Sequence, residues 1–185
     1  MFERIVLFTL AFLVASCGKS SLPTTSENVM RISLKIDPTS PDPRRNGDVN
    51  TSTLNFLLYE GLTRLAADGV VEMALAETVD ISSDKKTYTF HLRKAHWSDG
   101  APITAYDFEH SWKKTLDPAF GAACPYLFYS IQGSIEAMEK KIDPVEVGVK
   151  AIDASTLRVN LNHPTPYFLS LISFCNFYPI PKHIE

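Results

Sequence analysis

The middle of the sequence contains a strand, a tight turn and a helix in direct succession, and this stretch constrains the fold more than any other. Over residues 87–93, the apolar Tyr88, Phe90 and Leu92 alternate with polar neighbours, which is the period of a strand with one buried face. Trp97-Ser98-Asp99-Gly100 follows and is typical of a turn, because aspartate and glycine accept the backbone angles that turns require. The pattern therefore predicts a half-buried strand that leads into a turn.

A helix is predicted directly after this turn, beginning beyond Pro102. Thr104 is a residue that favours the start of a helix, and Asp107, three positions on, completes a pattern similar to a capping box. Phe108 and Trp112 are four positions apart and therefore share one face of the helix. The helix is expected to carry an aromatic face.

The rest of the chain alternates short predicted elements with loops, so we predict an α+β fold in which antiparallel pairs predominate. Residues 37–50 are a loop, because no helix could continue through Pro38, Pro41 and Pro43. Strands are predicted at 29–36, at 63–65 with a partner after the Asp68-Gly69 turn, at 145–152 and at 156–161. Helices are predicted at 51–62 and 126–141, and residues 73–79 are predicted to be a connection without regular structure. Hydrophobic residues make up 45% and charged residues 21%, which is typical of a globular protein.

The N-terminus has the composition of a secretory signal. Arg4 precedes an apolar run over residues 5–15, which is too short to span a bilayer and suits a signal peptide. The run ends at Ala15-Ser16-Cys17, which resembles the bacterial lipobox, so we expect residues 1–16 to be a signal peptide and Cys17 to be lipidated. Residues 17–28 are then a flexible tether. The alternative is a buried N-terminal helix that contains a cysteine by chance.

A lipid-anchored protein of this kind is expected in the periplasm or on the outer face of the cytoplasmic membrane, with the outer membrane left open. An exported chain would permit a disulfide between Cys124 and Cys175. Two free thiols are the alternative, because the sequence does not place the two Cα atoms within bonding range.

The residue pattern argues against nucleic-acid binding and against catalysis. The formal net charge is −3, and Lys and Arg form no stripe of the kind that neutralises phosphates. His91 and His96 lack the spacing of a helical zinc pair, and Glu109-His110 would point to different faces of a helix. No nucleophile motif and no phosphate-binding glycine loop occurs in the sequence. We therefore expect no metal, no cofactor and no enzymatic activity.

Several runs of the sequence resemble one protein family. The run from Tyr88 to Lys114, YTFHLRKAHWSDGAPITAYDFEHSWKK, is similar to the signature region of the bacterial extracellular solute-binding proteins of family 5, which bind peptides, dipeptides or nickel. Further matching runs, in the family's order and spacing, are Asp42-Pro43, Tyr59-Glu60-Gly61-Leu62, Gly148-Val149-Lys150-Ala151-Ile152-Asp153, Pro166-Tyr167-Phe168 and Pro179-Ile180-Pro181-Lys182. The resemblance covers residues 29–185, and the oligopeptide-binding branch is the most similar.

The resemblance implies a bilobed periplasmic binding protein whose first lobe contains an inserted extra domain. Residues 29–59 would be the first strand region of the main lobe, residues 60–176 the inserted α+β domain, and residues 177–185 the start of the return to the main lobe. Only the N-terminal part of the first lobe is then present in the sequence, since family members are much longer.

The function implied is that of the peptide-binding component of an ABC-type importer. Such a protein captures peptides outside the cytoplasmic membrane and delivers them to permease subunits that ATPase subunits power. A dipeptide, a cell-wall muropeptide or nickel is an alternative cargo. The alternative from a different class is a surface lipoprotein that serves as a structural or interaction module without binding a ligand.

The resemblance also implies which residues would serve binding and which would serve the fold. The family's peptide-contacting segment falls on Asn46, Gly47, Asp48 and Val49, for which an ordinary solvated loop is the alternative. Tyr126 and Tyr129 fall where the family places aromatic residues near the cleft, and core packing is the alternative for both. We expect a structural role for Trp97, Asp99, Gly100, Thr104, Asp107 and Trp112.

Overall fold

The structure is a computed structural model that describes residues 31–185. The predicted signal peptide 1–16, Cys17 and the tether that extends to residue 28 lie outside the described residues, as do the first two residues of the predicted strand 29–36. Within residues 31–185, no helix is both long enough and apolar enough to cross a membrane.

A two-stranded antiparallel hairpin contains the first strands of the described chain. β1 (Thr63–Leu65) pairs with β2 (Val71–Met73), and the connection contains the predicted Asp68-Gly69 turn. Gly69 has a φ of 82°, a left-handed conformation that glycine adopts without steric cost. The two short strands predicted on either side of this turn are confirmed.

The centre of the fold is a four-stranded antiparallel sheet. Its strands are β3 (Ala76–Ile81), β4 (Thr87–Leu92), β5 (Val149–Ala151) and β6 (Thr156–Asn160), in the spatial order β3-β4-β6-β5. Tyr88 and Phe90 of β4 are buried as predicted, because their side chains leave the same face of the strand.

Four short α-helices accompany these strands in residues 31–185: α1 (Val49–Leu58), α2 (Ala105–Thr115), α3 (Ser134–Met138) and α4 (Phe168–Leu171). Single 3-10 turns lie at Pro43–Arg45, Pro125–Phe128, Pro144–Glu146, Cys175–Phe177 and Lys182–Ile184. The start of α2 is as predicted: the backbone N–H of Thr104 donates to an Asp107 carboxylate oxygen over 2.8 Å, and its hydroxyl donates over 2.9 Å. These bonds fix the N-terminus of α2.

Helix α2 packs on β5 and β6 and closes the core. Phe108 and Trp112 on its inner face are fully buried, together with Phe90 of the sheet. The Trp112 ring lies edge-to-face on Phe128 and Phe177, with centroids 5.9 and 5.3 Å away. Buried aromatic rings remove a large apolar area from water, so this cluster is a main source of stability for the domain.

One predicted strand and one predicted connection are wrong. Residues 31–36 form no strand, and Ile32 and Ile36 are 48% and 69% exposed; alternating residues make a strand only where a partner strand supplies hydrogen bonds. Residues 76–79 belong to β3 rather than to a connection. The register of β3 against β4 shifts between Ala76 and Thr78, and this bulge disrupts the alternation that would have predicted the strand.

The predicted helix 126–141 is also wrong as a single element. It is divided into the 3-10 turn at Pro125–Phe128 and the short α3, because Gly133 between them has a φ of 77°, which a right-handed helix cannot include. The predicted helix 51–62 is confirmed as α1, but α1 begins at Val49 and ends at Leu58. The predicted strand 145–152 is reduced to β5, because the chain first makes a 3-10 turn at Pro144–Glu146.

Candidate functional site

Residues 46–49 lie between the 3-10 turn at Pro43–Arg45 and the start of α1. Asp48 caps α1, since one carboxylate oxygen accepts the Thr51 N–H over 2.9 Å and the other accepts the Thr51 hydroxyl over 2.7 Å. The same hydrogen bonds lower the pKa of Asp48. The Asp48 side chain therefore acts as the N-cap of α1, and its hydrogen bonds fix the position of Gly47, the residue before it.

Asn46 is a buried anchor for this segment. Its amide nitrogen donates to the Ser52 hydroxyl over 2.9 Å and to the Cys175 sulfur over 3.0 Å. Its backbone carbonyl accepts a hydrogen bond from the side-chain amide of Asn176 over 3.0 Å. Asn46 is only 5% exposed, so it positions the segment rather than presenting a surface to a ligand.

Gly47 and Val49 present the exposed part of the segment. Gly47 is exposed, and within residues 31–185 neither its N–H nor its carbonyl has a hydrogen-bond partner. Val49 is 80% exposed. A Cβ atom added at Gly47 would lie 3.3 Å from the Cβ of Ala123, which places the loop around residue 123 directly beside Gly47. The backbone of Gly47 is thus exposed to solvent, with the loop around residue 123 on one side.

A buried arginine joins this region to the last residue of the sequence. Arg44, 3% exposed, pairs with Asp42 over 2.9 Å and with Glu185 over 2.8 Å. Its hydrogen bond lowers the pKa of Glu185 to about 2, because the cation favours the charged carboxylate. The Arg44 guanidinium also lies 4.6 Å from the centre of the Phe120 ring. Arg44 therefore connects the 3-10 turn at Pro43–Arg45 to two segments that are distant in sequence, one containing Phe120 and the other Glu185.

Tyr126 and Tyr129 are 60% and 36% exposed, so the core-packing alternative is wrong for both. Ala123 brings the loop that precedes Tyr126 beside Gly47. A hydrogen bond with Cys124 raises the pKa of Tyr126. The Tyr129 backbone carbonyl accepts a hydrogen bond from the side-chain amide of Asn162 over 3.2 Å, and Tyr129 makes no hydrogen bond to residues 46–49.

Phe174 is an exposed aromatic residue that sequence reasoning missed. It is 49% exposed and directly precedes Cys175, the partner of Asn46. Phe174 and Phe56 border a pocket of about 390 Å³ that Tyr178 also lines. In a short apolar stretch such as this one, the sequence pattern does not distinguish an exposed phenylalanine from a buried one. The only available signal near Phe174 was the resemblance of Pro166-Tyr167-Phe168 to the family.

The predicted turn at residues 97–100 is present and is closed by hydrogen bonds to Ala101. The backbone N–H of Trp97 donates to the Ala101 carbonyl over 2.8 Å. Gly100 has a φ of 88°, a left-handed conformation that favours glycine. Asp99 accepts the Ala101 N–H over 2.9 Å and contacts His183 at 2.6 Å, and these hydrogen bonds lower its pKa. Trp97 is half-buried, and its indole N–H is enclosed without an acceptor in residues 31–185.

The remaining reactive side chains form no centre in the described residues. Cys124 and Cys175 are free thiols, and burial raises the pKa of Cys175. Glu109 pairs with Lys113, whereas His110 contacts Glu185, so the two adjacent side chains have different ionic partners. Within residues 31–185, no group of three or more His, Cys, Asp or Glu side chains could hold a metal ion.

Comparisons with known proteins identify the family. Residues 70–184 match the family described as bacterial extracellular solute-binding proteins, family 5 middle. The chain is 38% identical over 170 residues to the oligopeptide-binding protein OppA of Bacillus subtilis, covering 91% of this chain and 31% of that protein. It is 40% identical over 164 residues to the dipeptide-binding protein DppE of the same organism, covering 88% of this chain and 30% of that protein.

A solved structure shows the same fold. The Haemophilus influenzae OppA complex with the peptide RPPGFSPFR superposes with a TM-score of 0.76 at 35% identity, covering 80% of this chain and 29% of that one. The chain belongs to the bacterial extracellular solute-binding proteins of family 5. It spans about 30% of the length of the curated relatives it matches, and it has the α+β architecture of the corresponding part of OppA-like periplasmic binding proteins.

Proposed function

We propose that this chain supplies part of the first lobe and the inserted domain of the peptide-binding component of an ABC-type importer. The component captures peptides outside the cytoplasmic membrane and passes them to permease subunits that ATPase subunits power. Family membership and the names of the relatives as oligopeptide- and dipeptide-binding proteins support this role.

The observation that carries the proposal is the exposed backbone of Gly47. It lies in the segment that resembles the family's peptide-contacting segment, and its N–H and carbonyl are unpaired within residues 31–185. Free backbone groups on an exposed segment can bind an extended peptide in the manner of an added strand, which reads the peptide backbone rather than its side chains. Gly47 carries no side chain, so only its backbone makes such a contact.

The domain boundaries and the anchor are part of the same proposal. Residues 29–59 and 177–185 belong to the main lobe, and residues 60–176 are the inserted domain. Cys17 carries the lipid that holds the protein outside the cytoplasmic membrane. Bacterial lipoprotein modification adds several acyl chains, and stable anchoring requires more than one.

The test is a chimera in which this chain replaces the matching segment of Haemophilus influenzae OppA, whose structure holds RPPGFSPFR. Isothermal titration calorimetry with that peptide is expected to show binding. Gly47→Pro removes the backbone N–H and is expected to weaken binding about tenfold, the value of one hydrogen bond of roughly 1.4 kcal/mol. Gly47→Ala keeps the N–H and is the matched control.

A chimera that folds, as judged by circular dichroism, and yet binds no peptide would contradict the proposal. That result would favour the alternative of a surface lipoprotein that acts as an interaction module. Equal loss of affinity in Gly47→Pro and Gly47→Ala would show that space beside Ala123, rather than the backbone N–H, limits binding.

A further inference from the structure

Arg45 is an exposed cation that has no acidic partner in the described part of the chain. Its neighbour Arg44 is buried and pairs with Asp42 and Glu185, whereas no described carboxylate lies within ion-pairing distance of Arg45. One N–H group of the Arg45 guanidinium donates to the Phe120 carbonyl over 3.3 Å, and its other N–H groups have no acceptor among the described residues. The charge of Arg44 is therefore neutralised inside the protein, and the charge of Arg45 is free at the surface.

An aromatic ring holds the Arg45 guanidinium in position. The central carbon of the guanidinium lies 4.6 Å from the centre of the Phe120 ring, a distance at which the face of an aromatic ring attracts a cation. Lys114 lies 5.7 Å from the centre of the same ring, but it pairs with Asp117 over 3.0 Å. A side chain that is already ordered loses less conformational entropy when it binds a ligand. Arg45 is thus a fixed cation rather than a mobile one.

Arg45 lies on the same side of the chain as Gly47. Asn46 between them has extended backbone angles, with φ −70° and ψ 123°, and successive residues of an extended segment point to opposite sides. Burial follows this alternation, because Asn46 is buried whereas Arg45 and Gly47 are exposed. The loop that holds the Arg45 guanidinium at Phe120 also lies beside Gly47 at Ala123. The guanidinium and the unpaired backbone of Gly47 therefore border the same stretch of surface.

The nearest carboxylate that follows Arg45 in the sequence is directed elsewhere. Asp48 takes the alternate position in the segment, since its backbone is also extended, with φ −142° and ψ 161°. Its carboxylate oxygens accept hydrogen bonds from Thr51 and from the Thr39 hydroxyl. Asp48 therefore faces the start of α1, and it leaves the charge of Arg45 available to a ligand.

We propose that Arg45 binds a carboxylate of the captured peptide and so gives the site a preference for peptides that carry a carboxylate close to the residue bound at Gly47. The inference rests on the proposed function, because it takes Gly47 to bind the peptide backbone. An arginine fork binds a carboxylate through two parallel hydrogen bonds. The carboxylate is supplied either by a Glu or Asp side chain of the peptide or by its C-terminus.

The test uses the chimera with Haemophilus influenzae OppA and peptides derived from RPPGFSPFR, which contains no acidic residue. Isothermal titration calorimetry compares Glu with Gln at each position of the peptide in turn, and the free C-terminal acid with the C-terminal amide. At one position, or at the C-terminus, the peptide with the additional carboxylate is expected to bind about tenfold more tightly, which is the lower end of the value of a charge-assisted hydrogen bond. The two comparisons distinguish the two sources of the carboxylate.

Arg45→Gln is expected to abolish this preference and to leave the binding of the peptide without the additional carboxylate unchanged. Arg158→Gln is the matched control, because Arg158 is also exposed and has no acidic partner in the described part of the chain. Arg158 lies on β6 between the buried Leu157 and Val159, so its side chain points away from the core. The control is expected to keep the full preference, and circular dichroism checks that each variant is folded.

Equal affinity for Glu and Gln at every position, and for the acid and the amide, would overturn the inference and leave the proposed function intact. A preference that persists in Arg45→Gln would also overturn it. So would a preference that Arg158→Gln removes to the same extent, because long-range charge rather than a contact with Arg45 would then be its cause. A chimera that folds and binds none of the peptides would contradict the proposed function itself, and the inference with it.

Discussion

Replacing Trp112 by phenylalanine is expected to destabilise the domain severely. The Trp112 indole N–H donates to the Phe177 carbonyl over 2.7 Å in a fully buried position. Without that donor the carbonyl is left buried and unpaired, which costs about 1–3 kcal/mol. The smaller ring leaves a cavity among Phe108, Phe128 and Phe177, which adds about 1–2 kcal/mol. The expected loss of roughly 3–4 kcal/mol is a large part of a typical stability of about 5–15 kcal/mol.

Trp97→Phe is the matched comparison, because the sequence contains only two tryptophans and the Trp97 indole N–H is enclosed without an acceptor within residues 31–185. Removing an unpaired buried donor relieves a desolvation cost, so Trp97→Phe is expected to change the free energy of unfolding by less than about 1 kcal/mol. Urea unfolding followed by circular dichroism measures both variants without relying on tryptophan fluorescence. A loss in Trp97→Phe equal to that in Trp112→Phe would refute the assignment of the stability to the indole–carbonyl bond.

Two further perturbations test other contacts. Gly61→Ala is expected to cost about 1–3 kcal/mol by urea unfolding, because the new Cβ would lie 2.6 Å from the Tyr178 ring; full stability would contradict the close approach. Glu185 has a pKa of about 2 instead of 4.5 because Arg44 donates to it, so its contribution to stability is present above pH 4.5 and is lost as the pH falls towards 2. Glu185→Gln is therefore expected to lower the Tm at neutral pH, and the Tm difference from the unaltered protein is expected to shrink between pH 4.5 and pH 2. A Tm difference that stays constant over this range would show that the Arg44–Glu185 ion pair does not cause the loss of stability.

The parts of the fold that could be predicted are those in which local chemistry and burial agree. Tyr88 and Phe90 are both apolar and both face the core, and Thr104 with Asp107 starts a helix whose aromatic residues are buried. Each of these signals lies within a few residues of the element it specifies. Local signals of this kind persist in the folded chain when tertiary packing reinforces them.

The parts that could not be predicted depend on distant contacts. The strand β3 follows no simple alternation because of the register shift near Ala76. At the candidate site, the resemblance pointed to Gly47. Gly47 lies beside Ala123, and its neighbour Asn46 is held by hydrogen bonds with Cys175 and Asn176. These residues are far from Gly47 in sequence, and nothing in their local pattern indicates that they meet.

The close approach of Gly61 to Tyr178 has a consequence for how the proposed inserted domain relates to its host. Gly61 lies at the start of residues 60–176 and Tyr178 lies two residues beyond their end, and a Cβ atom on Gly61 would touch the ring of Tyr178. If residues 60–176 are the inserted domain as proposed, the insertion leaves and rejoins the host chain at nearly one point, so that a short linker could replace it without separating the flanking segments. A module with adjoining ends adds little loop-closure entropy to its host, and such geometry is what allows one folded unit to be carried within another.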